Sequence, residues 1–242
     1  MIEVSANIEN VLQSIRRAET HSSRPHGSVT LMAVSKTRTA AEAQAAARAG
    51  ARNLGENYLS EAQTKISTLS QLVRSLDIVW HYIGAIQSNK TRDIARLFDW
   101  VHTVDRAKIV QRLDTARAGS APLNVCIQVN IDDERQKAGV RPNAARALLQ
   151  EIRQCENLQV RGLMAIPRPQ SNPEATRPSF QALAALFEAL REDAGPHWDT
   201  LSMGMSSDYE VAISEGSTIV RIGTAIFGPR NAVANVRTGS QS

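Results

Sequence analysis

The chain has 242 residues, 42% hydrophobic, 21% charged and only 4% aromatic, with a formal net charge of +4. That balance excludes wholesale disorder, and basic residues scattered without an aromatic-rich basic stripe argue against nucleic-acid binding. The two cysteines, Cys126 and Cys155, lack metal-ligand spacing and read as reduced, buried small hydrophobes.

The N-terminus, MIEVSANIENVLQSIRRAET, has no signal-peptide apolar region; Ile8, Leu12 and Ile15 mark one face of an amphipathic helix. No stretch reaches the ~18–20 apolar residues of a membrane span, so a cytoplasmic location is expected. Strand-like and helix-like segments then alternate. Residues 29–35 (VTLMAVS) read as a strand, and 40–49 as an alanine-rich helix stopped by Gly50. A short strand at 52–55 leads into a long helix at 58–76. Strands at 78–84 (IVWHYIG) and 100–104 (WVHTV) are followed by helices at 90–98 and 106–118. The second half repeats the theme, with strands at 123–131, 158–165, 200–203 and 218–223. Its helices fall at 143–154, within 173–194, and at 207–215. Eight strands in such alternation imply parallel βαβ units and, in this length, a closed barrel. The expected fold class is α/β, a single (β/α)8 TIM-type barrel preceded by an N-terminal helix. One domain spans residues 1–230, and residues 231–242 form a mobile C-terminal tail.

Functional groups of such barrels sit at the C-terminal ends of the strands. Lys36 occupies that place on the first strand, in a chain where only five of the 28 basic residues are lysines. Position alone leaves two readings: a solvated lysine past a strand end, or a partly desolvated amine that attacks an aldehyde.

The other end of the chain narrows the choice. LSMGMSSDYE (residues 201–210) precedes a helix; Ser207 and Glu210 have capping-box spacing, so Ser207 reads as an N-cap. RIGTAIFG (residues 221–228) places Gly223 and Thr224 after the eighth strand, before a possible helical turn at 225–227. Loops after strands seven and eight commonly bind phosphate. Arg221 lies within TIVRIG, where an unpaired guanidinium is costly on either face. It either pairs with a buried carboxylate or meets a ligand, and an arginine can donate to the ring nitrogen of pyridoxal phosphate. Strands one and eight are neighbours in a closed barrel. An amine, a phosphate cup and an arginine converging there describe one ligand, pyridoxal 5′-phosphate.

The segments AVSKTRTAAEAQAAARAGARNLGENYLSEAQTK, HYIGAIQSNKTRDIARLFDWVHTVDR, QVNIDDERQKAGV, VRGLMAIP and LSMGMSSDYEVAISEGSTIVRIGTAIFG span residues 33 to 228. With them the chain resembles the pyridoxal phosphate homeostasis proteins, whose fold is like the N-terminal barrel of alanine racemase. The resemblance implies a cofactor held as a Schiff base on Lys36, with Arg221 near the ring nitrogen. Ser206, Gly223 and Thr224 would hold the phosphate, and Asn57 and Met203 would line the cofactor. His81 reads as a satisfied core histidine. Ile86 and Ala85 depart from the residues more frequent in the family, at positions not expected to carry chemistry.

Lys137 in QVNIDDERQKAGV has two readings: a solvated partner of Glu134, or a second amine able to accept or release the aldehyde. The resemblance further implies a carrier or regulator in vitamin B6 homeostasis, able to serve pyridoxal-phosphate-dependent apo-enzymes, with no catalytic reaction of its own; a monomer is expected, because a half-site of this kind does not need a partner. The alternative is a racemase-like enzyme acting on amino acids. Racemases of this type take a second acid/base, a tyrosine, from a C-terminal β domain and a partner subunit. With strand eight ending near residue 223 of 242, no such domain is expected. A cofactor-free Schiff-base aldolase would explain Lys36 but leave Arg221 without a role.

Overall fold

The structure, a computed structural model, describes residues 3–229; the expected tail at 231–242 lies outside the described residues. Helix α1 (Val4–His21) precedes strand β1 (Thr30–Val34) and helix α2 (Ala40–Arg48). Then come β2 (Asn53–Glu56), α3 (Leu59–Thr68), α4 (Ser70–Leu76), β3 (Val79–Tyr82) and α5 (Thr91–Leu97). The middle of the chain supplies β4 (Trp100–Val104), α6 (Ala107–Arg117), β5 (Leu123–Val129), α7 (Ala145–Arg153) and β6 (Leu158–Ala165). The last part holds α8 (Arg177–Ala189), α9 (Arg191–Ala194), β7 (Thr200–Met205), α10 (Tyr209–Ser214), β8 (Ile219–Ile222) and α11 (Thr224–Phe227). Each strand pairs in parallel with the next, and β8 returns to β1 with Arg221 opposite Met32, so the sheet closes as an eight-stranded barrel.

Period-two alternation sorts the strand residues between two cores. On β1, Ala33 belongs to the shell between sheet and helices, while Val34 reaches the barrel mouth. The shell is tight because its small residues permit close approach: Ala43, Ala46 and Ala47 of α2 are fully buried. Thr39 opens α2 with a capping box, accepting from the Glu42 N–H while the Glu42 carboxylate accepts from the Thr39 N–H. Helix α1 buries Ile8, Val11, Ile15 and Ala18, with Leu12 only half-buried beside them. At roughly 1.5–3 kcal/mol for each large side chain fully buried, that stripe fixes α1 on the outer ring. Glu19, buried at its C-terminal end, accepts from the backbone N–H groups of Gly27 and Val29 and so orders the turn into β1.

Several expected elements are shorter or broken. The helix expected over 58–76 divides at Leu69, which turns inward and is buried. The segment at 173–194 becomes a 3-10 turn, Pro173–Thr176, followed by α8 and α9. Pro178 explains the first break: a proline is tolerated in the first turn of a helix but not in its interior. Strand β5 stops at Val129 because Asn130 bonds within its own loop, its side chain accepting from the Glu134 N–H. Among the described residues, no helix is long and apolar enough to cross a membrane.

Candidate functional site

Val34 and Lys36 share parity on the chain leaving β1, and both reach a cavity of about 440 Å³ at the C-terminal ends of the strands. Asn57, Ile83, Met164, Ile166, Met205, Ser206, Ser207, Arg221, Gly223 and Thr224 complete its wall. Six of the seven residues expected at a cofactor site therefore meet in one place: Lys36, Asn57, Ser206, Arg221, Gly223 and Thr224. Met203, the seventh, does not. Ser202 points into the barrel, so Met203 points into the shell under the helices, where it is fully buried. Met205 takes the place at the mouth, after an irregularity in the β7–β8 register between Ser202 and Met205.

The loop carrying Lys36 is tied down on both sides. Ser35 Oγ donates to Glu56 Oε1 (2.6 Å), and the Lys65 ammonium donates to the same oxygen (2.7 Å) and to the Ser35 carbonyl (2.5 Å). Glu56 is fully buried and Lys65 is 4% exposed. Thr37, in the left-handed region at φ 61°, donates its N–H to Glu61 Oε2 (2.7 Å). Burial raises the Glu56 carboxyl above the usual range, against the lowering effect of Lys65 and Ser35. The sequence does not announce this clamp: a glutamate at a strand end and a lysine nine residues on carry no specific signal.

Two glycines set the shape of this corner. A Cβ at Gly55 would stand 2.7 Å from Met32 Sδ, and one at Gly84 would overlap the Asn57 backbone carbonyl. The backbone carrying Asn57 thus lies directly on Gly84, and the buried Asn57 Oδ1 finds no donor among the described residues. A buried acceptor left open is costly unless another group reaches it.

Arg221 is 4% exposed, and among the described residues its hydrogen bonds go to neutral acceptors and not to a carboxylate. Its Nη1 donates to the Ser202 carbonyl (2.6 Å) and Ser202 Oγ (2.9 Å), and Nη2 to the Ala165 carbonyl (2.8 Å). Burial lowers its pKa to about 10, opposed by Asp208. It remains a cation at neutral pH, held at the cavity floor by neutral acceptors. Asp208 also corrects the expected cap. Its Oδ1 accepts from the Met205 N–H (2.7 Å) and closes the turn, so α10 starts at Tyr209 with Asp208 before it and the Ser207–Glu210 capping box does not form. The loops after β7 and β8 meet where the Ala225 N–H reaches Ser206 Oγ at 3.5 Å.

His81 lies below the cavity and is satisfied there, with Asn53 Oδ1 on one ring nitrogen and His102 on the other, each at 2.9 Å. Burial pushes the His81 imidazole down to about 3 and, with His81 and Arg221 nearby, holds His102 well below its usual value. Both are neutral in the fold and become basic on unfolding. Below about pH 6.5 the unfolded chain binds more protons, so stability falls as pH drops from there toward 3, by up to about 1.4 kcal/mol per pH unit for each histidine. Urea unfolding at pH 7, 5.5 and 4.5 reads this slope. His81→Gln is expected to flatten it; parallel slopes in wild type and variant would place the acid sensitivity elsewhere.

Lys137 is paired. Its Nζ meets Glu134 Oε1 at 2.5 Å and donates to the carbonyls of Ile166 (3.3 Å) and Pro167 (3.1 Å) at the rim.

The sequence profile of the alanine racemase N-terminal domain matches residues 6–231. The pyridoxal phosphate homeostasis protein of Pseudomonas aeruginosa is 49% identical over 232 residues, covering 96% of this chain and 97% of that protein. Among solved structures, an unknown protein from Bifidobacterium adolescentis superposes with a TM-score of 0.87 at 33% identity, covering 93% of this chain and 94% of that one. PipY of Synechococcus elongatus, solved with PLP bound, gives 0.75 at 36% identity over 89% of this chain and 99% of its own.

Proposed function

The chain belongs to the alanine racemase N-terminal domain family, among the pyridoxal phosphate homeostasis proteins, and from that premise we propose that it holds pyridoxal 5′-phosphate on Lys36 and serves as a carrier or regulator of that cofactor. The observation that carries the reading is the convergence on one cavity of Lys36, the buried Arg221 cation and an Asn57 oxygen with no donor among the described residues. When bound, the cofactor would supply an aldehyde carbon as the electrophile for the Lys36 amine.

The protein's own groups hold and orient. Arg221 carries donors only, so toward a pyridine nitrogen it offers N–H and leaves that nitrogen unprotonated, which weakens the ring as an electron sink. Ser206 and Thr224 bring hydroxyls, and Gly223 a bare backbone, where the two phosphate-type loops meet. Val34, Ile83, Met164 and Ile166 give the ring an apolar wall. The clamp around Ser35 and Thr37 fixes the backbone from which the Lys36 amine reaches in.

Carriage is favoured over racemisation because a two-sided proton transfer needs a second acid or base facing the first. None of the three tyrosines lines the cavity: Tyr58 is exposed, the Tyr82 hydroxyl donates to the Ala85 carbonyl, and Tyr209 faces a separate groove. The relatives' names point the same way. Within this reading the protein acts as a monomer and passes the cofactor to apo-enzymes that need it.

The test is an absorbance titration of the purified protein with pyridoxal phosphate, followed by borohydride and mass spectrometry of the Lys36 peptide. A colourless protein that stays colourless would overturn the reading. Arg221→Gln is expected to weaken uptake about tenfold or more, the worth of a charge-assisted hydrogen bond, and to move the absorbance maximum. Unchanged affinity and spectrum would remove Arg221 from the cofactor.

A further inference from the structure

Beneath the cavity floor a string of polar side chains crosses the barrel interior. Arg221 Nη1 meets Ser202 Oγ at 2.9 Å, Ser202 Oγ meets His102 Nδ1 at 2.9 Å, His102 Nε2 meets His81 Nδ1 at 2.9 Å, and His81 Nε2 meets Asn53 Oδ1 at 2.9 Å. His81 and His102 are 1% and 0% exposed, and Ser202 is fully buried. Four strands contribute, β8, β7, β4 and β3, and the string ends on β2.

Its ends fix its direction. A guanidinium has only donors, so Arg221 must donate to Ser202 Oγ. An amide oxygen only accepts, so Asn53 Oδ1 must receive the His81 Nε2 proton. A neutral imidazole has one donor and one acceptor nitrogen, which makes His81 Nδ1 an acceptor. His102 then donates from Nε2 and accepts at Nδ1, and the Ser202 hydroxyl supplies that proton. Every bond points from Arg221 toward Asn53, and both histidines are the Nε2–H tautomer. Chains aligned this way strengthen each member, and a serine oxygen that donates onward is a better acceptor for the guanidinium. A second proton on His81 would set two donors against each other, and one on His102 would turn the Ser202 hydroxyl from donor to acceptor; either change breaks the one-way string, in accord with the depressed basicity of both rings.

We propose that Ser202 and His102 are positioning residues for Arg221: the one-directional hydrogen-bond chain they carry sets the guanidinium's orientation and its donor strength toward the ring nitrogen of the bound cofactor. The inference rests on the cofactor reading above, but its first readout does not need the cofactor.

Long-range proton–nitrogen correlation spectra of the cofactor-free protein report each imidazole tautomer. The expected result is Nε2–H for both His81 and His102, and Ser202→Ala is expected to shift the Arg221 side-chain nitrogen resonances and speed their proton exchange. An Nδ1–H tautomer at either histidine, or Arg221 resonances unmoved in the variant, would overturn the proposal. The second readout is pyridoxal phosphate added to wild type, Ser202→Ala and His102→Asn, where the asparagine can still accept from Ser202 but cannot reach His81. Loss of affinity of about three- to tenfold with a moved absorbance maximum is expected for Ser202→Ala, less than for removing Arg221 itself because the guanidinium keeps its carbonyl partners, with His102→Asn intermediate. Wild type that binds while Ser202→Ala matches it in affinity and spectrum refutes the proposal and spares the cofactor reading. Wild type that does not bind refutes the cofactor reading and, with it, the cofactor half of the proposal, whatever the tautomers.

Discussion

Lys36→Ala is expected to remove all borohydride-fixed attachment of pyridoxal phosphate while leaving the unfolding transition within about 1 kcal/mol of wild type, the range for substitutions outside a packed core. Lys36 is half-buried in a loop whose conformation is held by its neighbours: Ser35 on Glu56 and Lys65, and Thr37 on Glu61. Its removal leaves those ties in place. The other lysines offer no substitute geometry. Lys65 is locked in a buried ion pair and Lys137 is engaged at the rim, and of the five lysines only Lys36 is among the residues lining the cavity. The variant should keep residual, non-covalent affinity through Arg221 and the hydroxyls of Ser206 and Thr224, so equilibrium dialysis should show weakened binding where peptide mass spectrometry shows no adduct. A full-stoichiometry adduct in the variant would assign the attachment to another amine. A collapse of the unfolding transition would make Lys36 a structural residue.

The barrel was legible because its signals are repeated. Alternating strand and helix patterns eight times over leave few topologies, and a break at Leu69 or Pro178 alters element lengths without altering the order. The site was legible where a residue type is out of place in its setting, as a lysine at a strand end and an arginine inside TIVRIG are. It was less legible where placement depends on parity through an irregular strand. Met203 and Met205 have the same chemistry, and only the inward direction of Ser202 and the shifted register decide which one reaches the mouth. The capping box at Ser207 failed for a local reason: a neighbouring aspartate had a better use in closing the turn. The His81–His102–Ser202 string and the Glu56–Lys65 pair left no trace because each is a long-range partnership. A histidine in WVHTV or a serine in LSMGM reads as an ordinary strand residue until the barrel closes and brings β3, β4 and β7 to the same level.

Lys65→Met is expected to destabilise the protein by about 3–5 kcal/mol, the cost of stranding one partner of a buried ion pair. Glu56 is the reason. Its carboxyl is fully buried and already raised by burial; Lys65 and Ser35 both donate to Oε1, while Oε2 has no partner among the described residues. Without the ammonium, the cheapest state is the protonated acid. A carboxyl whose folded pKa exceeds its unfolded value binds more protons in the fold, so the penalty of Lys65→Met relative to wild type should shrink as pH falls from 8 toward 5. Both proteins keep the neutral His81 and His102 and lose stability below about pH 6.5, the variant less steeply. A gap in urea unfolding that narrows with acid would be hard to obtain from any lesion other than an orphaned acid. Glu56→Gln combined with Lys65→Met removes the charge and should recover part of the loss while still leaving Ser35 without its Lys65 donor. That double variant separates stability from placement: if the clamp fixes the Lys36 backbone, its cofactor uptake should stay weaker than wild type even where its stability returns. A Lys65→Met protein within 0.5 kcal/mol of wild type, the ordinary scatter of a neutral substitution, would mean that water or a shifted backbone satisfies Glu56, and the clamp would lose its claim on Lys36.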